Sequence, residues 1–297
     1  MNKMLSSSRW GGLLAGCLLF LLSPAFAEPY LAVQKGLQCS ACHSHPGGGG
    51  KRNAYGNAFG QLELPVVRIG DADVWTGDIT KWLAVGGNLR GSLEAIDTPN
   101  RDDNSEFRVT RGTMYMEATL IPGRLSVYVD QQFAPDASQN REAYVRINSK
   151  SGRIFGAAGQ FYLPFGLRLQ DDTAFVRLAS AINFTNPDRG LQLGYEAGPW
   201  STIVAVTNGS GGGHETDSGK QFSLITNFVR GGWRVGASAN FNNADAGDRT
   251  MFGMFGGVRT GPIAWLAEID RISDDLPSGV TQHAIAGLLE AVSYTHL

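Results

Sequence analysis

The chain has 297 residues, with 25 lysines and arginines against 27 acidic side chains and a formal net charge of −2. Without residues 1–27, which carry Lys3 and Arg9 and no acid, 23 basic side chains face 27 acidic ones, a balance that argues against nucleic acid as a partner. After Leu22 no apolar run approaches the ~20 residues of a membrane helix, so any membrane crossing must be made by β-strands.

Residues 1–27 read as a secretory signal peptide. Lys3 and Arg9 precede the apolar run Leu13 to Leu22, and Ala25-Phe26-Ala27 is an A-x-A cleavage site that puts the mature start at Glu28. Leu14-Ala15-Gly16-Cys17 offers a lipoprotein alternative, but a lipobox should close the apolar run, and here Leu18 to Leu22 continue it.

Residues 28–65 hold Cys39-Ser40-Ala41-Cys42-His43, the spacing of covalent haem attachment. The two sulfurs can add to the haem vinyl groups while His43 ligates the iron from the proximal side. A zinc site or a thioredoxin-type redox pair is the competing reading, but the first needs two more ligands and the second a βαβ setting. The motif uses both cysteines of the mature chain, so no disulfide framework is left to hold a loop-rich secreted fold. A segment this short rarely folds alone. Either one covalent haem c supplies its core, or it docks on the rest of the chain.

Around the motif several side chains have two readings. His45 is either a sixth iron ligand or a solvated loop histidine. Lys51 and Arg52 either pair with haem propionates or are solvated charges. Tyr55 and Phe59, at i, i+4, either cover a haem edge or dock a short helix on the β region. Further on, Met114 and Met116 share one face of a strand and could approach a haem or simply pack. His214 falls in a glycine-rich loop.

Residues 66–79 read as a linker. From residue 80 to 290 the dominant pattern is period-two alternation. Trp233, Val235, Ala237, Ala239 and Phe241 fall on one face, with Arg234, Ser238, Asn240 and Asn242 on the other; Leu125, Val127 and Val129 oppose Arg124, Ser126 and Asp130. About twelve strands, mostly 8–13 residues long, are expected, and the 39 glycines spread along the chain suit tight turns and close strands. One-sided alternation fits a soluble sandwich or a membrane barrel. Strand length and the signal peptide favour the barrel, because a tilted membrane strand needs ~9–11 residues. Trp82, Tyr128, Phe161, Trp200, Trp233, Phe252 and Trp265 would suit its aromatic girdles. The fold class expected is therefore mainly β: an antiparallel transmembrane β-barrel preceded by a short helix-and-loop monohaem segment. Ala291 to Leu297 reads as a sequencing-adapter tail, which would leave the barrel incomplete after Glu290 and His296 without a role.

Gly159-Gln160-Phe161-Tyr162-Leu163-Pro164-Phe165-Gly166 resembles the G-x-F-x-x-P-F-G stretch of phosphate-selective-type porins. Asn183-Phe184, Asp188 to Leu193 and Val206 to Gly209 follow in the family's order. With a haem motif ahead of it, the chain resembles the outer-membrane cytochrome-porin fusions of iron-oxidising bacteria, echoed also by Tyr55-Gly56-Asn57-Ala58-Phe59. It departs from that pattern at Pro46 to Gly50 and at Gly60. The resemblance implies a bacterial outer-membrane protein in contact with lipid. It would relay electrons between an extracellular donor or acceptor, ferrous iron included, and a periplasmic carrier such as a cytochrome. Two rivals remain: a solute porin with a haem-bearing plug or sensor, and a haem enzyme of the peroxidase type, for which no histidine-arginine distal pair is visible.

Overall fold

The computed structural model describes residues 29–65, 73–96, 104–135 and 138–293. The signal peptide, residues 66–72 of the linker and the tail from 294 onward, His296 among them, lie outside the described residues.

Thirteen strands form one antiparallel sheet in sequence order. They are β1 (Asp78–Thr80), β2 (Leu83–Ile96), β3 (Asn104–Ile121), β4 (Leu125–Ala134), β5 (Gln139–Asn148), β6 (Ile154–Phe161), β7 (Asp188–Ala197), β8 (Trp200–Thr207), β9 (Gln221–Arg230), β10 (Trp233–Asn242), β11 (Asp248–Thr260), β12 (Ile263–Asp275) and β13 (Thr281–Ser293). The sheet begins inside the expected linker, at Asp78, and β13 runs on through Ala291 to Ser293, paired with β12. Among the described residues the outer edges of β1 and β13 have no strand partner.

The two faces of the sheet are of opposite chemistry. Leu191, Leu193, Val235, Met254, Ile269 and Ile285 are exposed on the outside, whereas Asp130, Glu142, Gln192, Ser223, Asn240, Glu268 and Asp270 are buried on the inside. A soluble sandwich would reverse this order, since water rewards apolar burial. An apolar outer band around a polar interior is the pattern of an outer-membrane barrel. Five of the seven aromatics expected in girdles do face outward. Tyr128 and Phe161 do not: both are buried inside, packed with Tyr144, Ala157 and Ala205.

The turns differ at the two ends. Gly198-Pro199, Gly231-Gly232 and Gly261-Pro262 make tight two-residue connections, with Gly198, Gly231, Gly232 and Gly261 at positive φ, as such turns demand. The opposite end carries the long connections 162–187 and 208–220. Barrels of this class keep short turns on the periplasmic side, which orients the molecule.

Two segments enter the lumen. The first is residues 29–65, built of helix α1 (Tyr30–Lys35), a 3₁₀ turn at Cys39–Ala41 and helix α2 (Ala54–Leu62). Tyr30 and Val33 pack on Phe255, Ala264 and Leu266 of the inner wall. The second is the connection 162–187, which contains helix α3 (Phe175–Ser180). Its Tyr162, Leu163, Phe165, Ile182 and Phe184 cluster with Met251 and Ile272, and Arg177 forms a fully buried ion pair with Glu268.

Candidate functional site

Local chain chemistry shapes the motif. Gly36, in the left-handed region at φ 65°, closes α1. Asn53 then performs two tasks. Its Oδ1 accepts from the Gly56 N–H at 2.9 Å to cap α2, and its Nδ2 donates to the carbonyls of Ser40 and Ala41 at 3.0 and 3.1 Å. The start of α2 is thereby fastened to the Cys-x-x-Cys turn. Gly56 permits the approach, since a Cβ there would overlap the Cys42 carbonyl.

Between them, residues 43–52 form a hairpin-like loop. His43 pairs with Arg52, and the Ser44 N–H donates to the Lys51 carbonyl at 3.0 Å. The reversal runs through Gly48, Gly49 and Gly50, with φ of 83°, 71° and 58°. Three consecutive residues in the left-handed region all but require glycine, which accounts for Gly48 to Gly50 in the stretch that departs from the family pattern.

The wall holds this segment at the short-turn end of the barrel. Gln38 donates to the Pro199 carbonyl, Ser40 to Glu196, Arg146 to the Ser44 carbonyl, and Arg259 to the Gln34 carbonyl at 2.9 Å. Lys51, expected in solvent or on a propionate, is buried instead: its Nζ lies 3.3 Å from Glu117, which also takes Ser44 Oγ at 2.7 Å and Arg146 at 3.2 Å. His45 is likewise buried rather than solvated. Its Nε2 meets Gln192 at 2.8 Å and its Nδ1 accepts from the Gly47 N–H, so it is committed to the wall. The sheet must curl around the segment, because strands from β3 to β12 touch it.

Cys39, Cys42 and His43 come together on one open cleft of about 780 Å³, its mouth included. Leu31, Leu37, Phe59 and Leu64 give it apolar walls, and Arg52, Arg168 and Arg234 give it cations. The two cysteines are unbridged, and burial pushes the Cys42 thiol up. His43 Nδ1 is buried with no hydrogen-bond partner among the described residues. Burial, and then the charges of Arg52 and Arg168, lower the His43 pKa to about 4, so the ring is the neutral imidazole that ligates metals. Two free thiols and a neutral imidazole on an apolar cleft with cationic edges fit a covalent haem.

The other candidates separate cleanly. Phe59 lines the cleft, with Lys35 Nζ 5.2 Å from its ring centre, while Tyr55 stacks on Phe59 from the exposed side. Met114 and Met116 are exposed on the outer face of β3 and point away from the lumen. His214 is exposed in the connection 208–220. None of the three can reach the cleft. Arg168 and Arg234 were not singled out from the sequence. The signal for Arg234 was present, since it lies on the polar phase of β10; Arg168 follows the P-F-G motif in a stretch without periodicity.

No protein-family model and no curated protein matches the chain. Among solved structures, the chain is similar to in-vitro folded OmpT, an outer membrane protein of Vibrio cholerae, in its trimer form. The two are 11% identical, the match covers 72% of this chain and 85% of that one, and the TM-score is 0.43. It is also similar to a mutant of the Rh. blastica porin, at 10% identity over 71% of this chain and all of that one, with a TM-score of 0.35. These figures describe a loose likeness in fold. The barrel assignment itself rests on the thirteen-strand order and on the opposite chemistry of the two faces of the sheet.

Proposed function

We propose that this protein is an electron-transfer protein of the bacterial outer membrane that carries one covalent haem c. Cys39 and Cys42 would hold it by thioether bonds and His43 would ligate its iron. It would relay electrons between a periplasmic carrier, such as a cytochrome, and an extracellular donor or acceptor such as ferrous iron. The observation that carries this reading is the meeting of two free thiols and one neutral imidazole on a single cleft.

Bound there, the haem would supply a one-electron couple, with a potential set by burial and axial ligation. The chain's own part is positioning. Asn53 and Gly56 fix the motif turn against α2, the ion pairs of Lys51 and Arg146 with Glu117 pin the segment to the wall, and Leu31, Leu37 and Phe59 limit water. Placement at the short-turn end favours exchange with a periplasmic partner. Haem staining of outer-membrane fractions tests the reading: the wild type should carry a stained band of the full chain, and Cys39→Ala should lose most of it. A wild-type band without covalent haem would refute it.

A second reading, a solute porin whose haem-bearing segment is a plug or sensor, is favoured by the charged inner wall, where Arg168 faces Glu142 at 2.7 Å. Large stable pores in bilayers, the same with and without haem, would decide for it. Two segments packed into the lumen favour the relay.

A further inference from the structure

We propose that Arg234, seconded by the Nε of Arg168, anchors the propionate carboxylates of the haem; the proposal rests on the haem reading above. Arg234 projects from the inner face of β10, is 6% exposed, and lies over the Phe255 ring at 5.3 Å. Its Nε and Nη1 are buried without a hydrogen-bond partner among the described residues. Most other buried cations of the lumen have carboxylates: Lys51 and Arg146 share Glu117, Arg168 has Glu142, and Arg177 has Glu268; Arg141 of β5, also without an ion pair among the described residues, lies over the Phe184 ring at 4.0 Å and does not line the cleft. No carboxylate among the described residues lies within ion-pair distance of Arg234.

A buried guanidinium without a counter-ion is costly. The arrangement therefore calls for an anion, and a guanidinium with two free donors suits a carboxylate. Position says which carboxylate. Arg234 and Arg168 both line the cleft of Cys39, Cys42 and His43, and both line a second cavity that Cys39 also borders. In that cavity Gln192 Nε2 and Asn227 Oδ1 are also unpartnered. Both arginines thus border the space that a haem held at Cys39 and Cys42 would occupy, and its propionates are the anions it would bring there. Gly49 leaves the way open, because a Cβ there would meet the Arg168 Nε at 2.5 Å.

The test uses the full chain purified from outer membranes as wild type, Arg234→Gln and Arg234→Lys, each examined by haem staining, equilibrium redox titration and the resonance Raman propionate-bending bands. All three should stain. Arg234→Gln should show a lower midpoint potential, since loss of a nearby cation favours the ferric state, together with shifted propionate bands. Arg234→Lys should keep the potential near wild type, because it keeps the charge, yet shift the bands, because it lacks the fork. A loaded Arg234→Gln with unchanged potential and bands overturns the anchor alone. If Arg234→Gln does not reach the membrane, unchanged bands in Arg234→Lys overturn it equally. A wild type without covalent haem sinks both this proposal and the one it rests on.

Discussion

At the scale of single residues, Asn53 is the joint between the motif turn and α2. Asn53→Ala removes a helix cap, worth ~1 kcal/mol in comparable helices, and also frees the Ser40 and Ala41 carbonyls. Limited proteolysis should therefore cut within residues 29–65 faster in this variant while the sheet stays resistant. Glu117 is the larger liability. Glu117→Gln leaves Lys51 and Arg146 without their carboxylate, and breaking a buried pair in this way costs ~3–5 kcal/mol. Lys51, buried in the wild type, should then become open to amine-modifying reagents; equal labelling of both proteins would show that the pair does not hold the segment. The motif residues were readable in the sequence because their chemistry is local, five positions in a row. For His45 and Lys51 the sequence offers a haem partner or solvent and not the wall, because Gln192 and Glu117 are 147 and 66 positions away, a distance at which no spacing rule operates.

At the scale of elements, the strands were legible and the lumen filling was not. Alternation in β10 and β12 states directly which side chains face inward, Arg234 among them. Helix α3 and the rest of 162–187 have neither period, and their burial depends on Arg177 finding Glu268 across the barrel. That contact has no signature along the chain. The same reasoning separates the two inserted segments experimentally. A chain lacking residues 29–65 loses one filling and keeps the other, so its conductance in bilayers should rise above that of the intact protein while the barrel still inserts. Unchanged conductance would mean that 162–187 alone closes the lumen.

At the scale of the whole molecule, the outer surface should behave as a lipid-facing one. Ile269 lies near the middle of β12 and Trp265 near its short-turn end, both outward. An arginine on the lipid face costs ~2–4 kcal/mol at the bilayer midplane and ~0–1 near the interface. Ile269→Arg should therefore lower the denaturant midpoint of vesicle-inserted protein far more than Trp265→Arg. Comparable losses at the two positions would contradict the placement of the apolar band.

The period of two has a last consequence. Along each strand, alternate positions answer to unrelated partners: one set to lipid, the other to the segment held inside. Val235 can drift among apolar residues without disturbing Arg234, and Arg234 can be lost without altering the outer coat. The wall thus carries two interleaved texts, free to be edited at different rates, and a new occupant of the lumen could be accommodated by rewriting only every second letter.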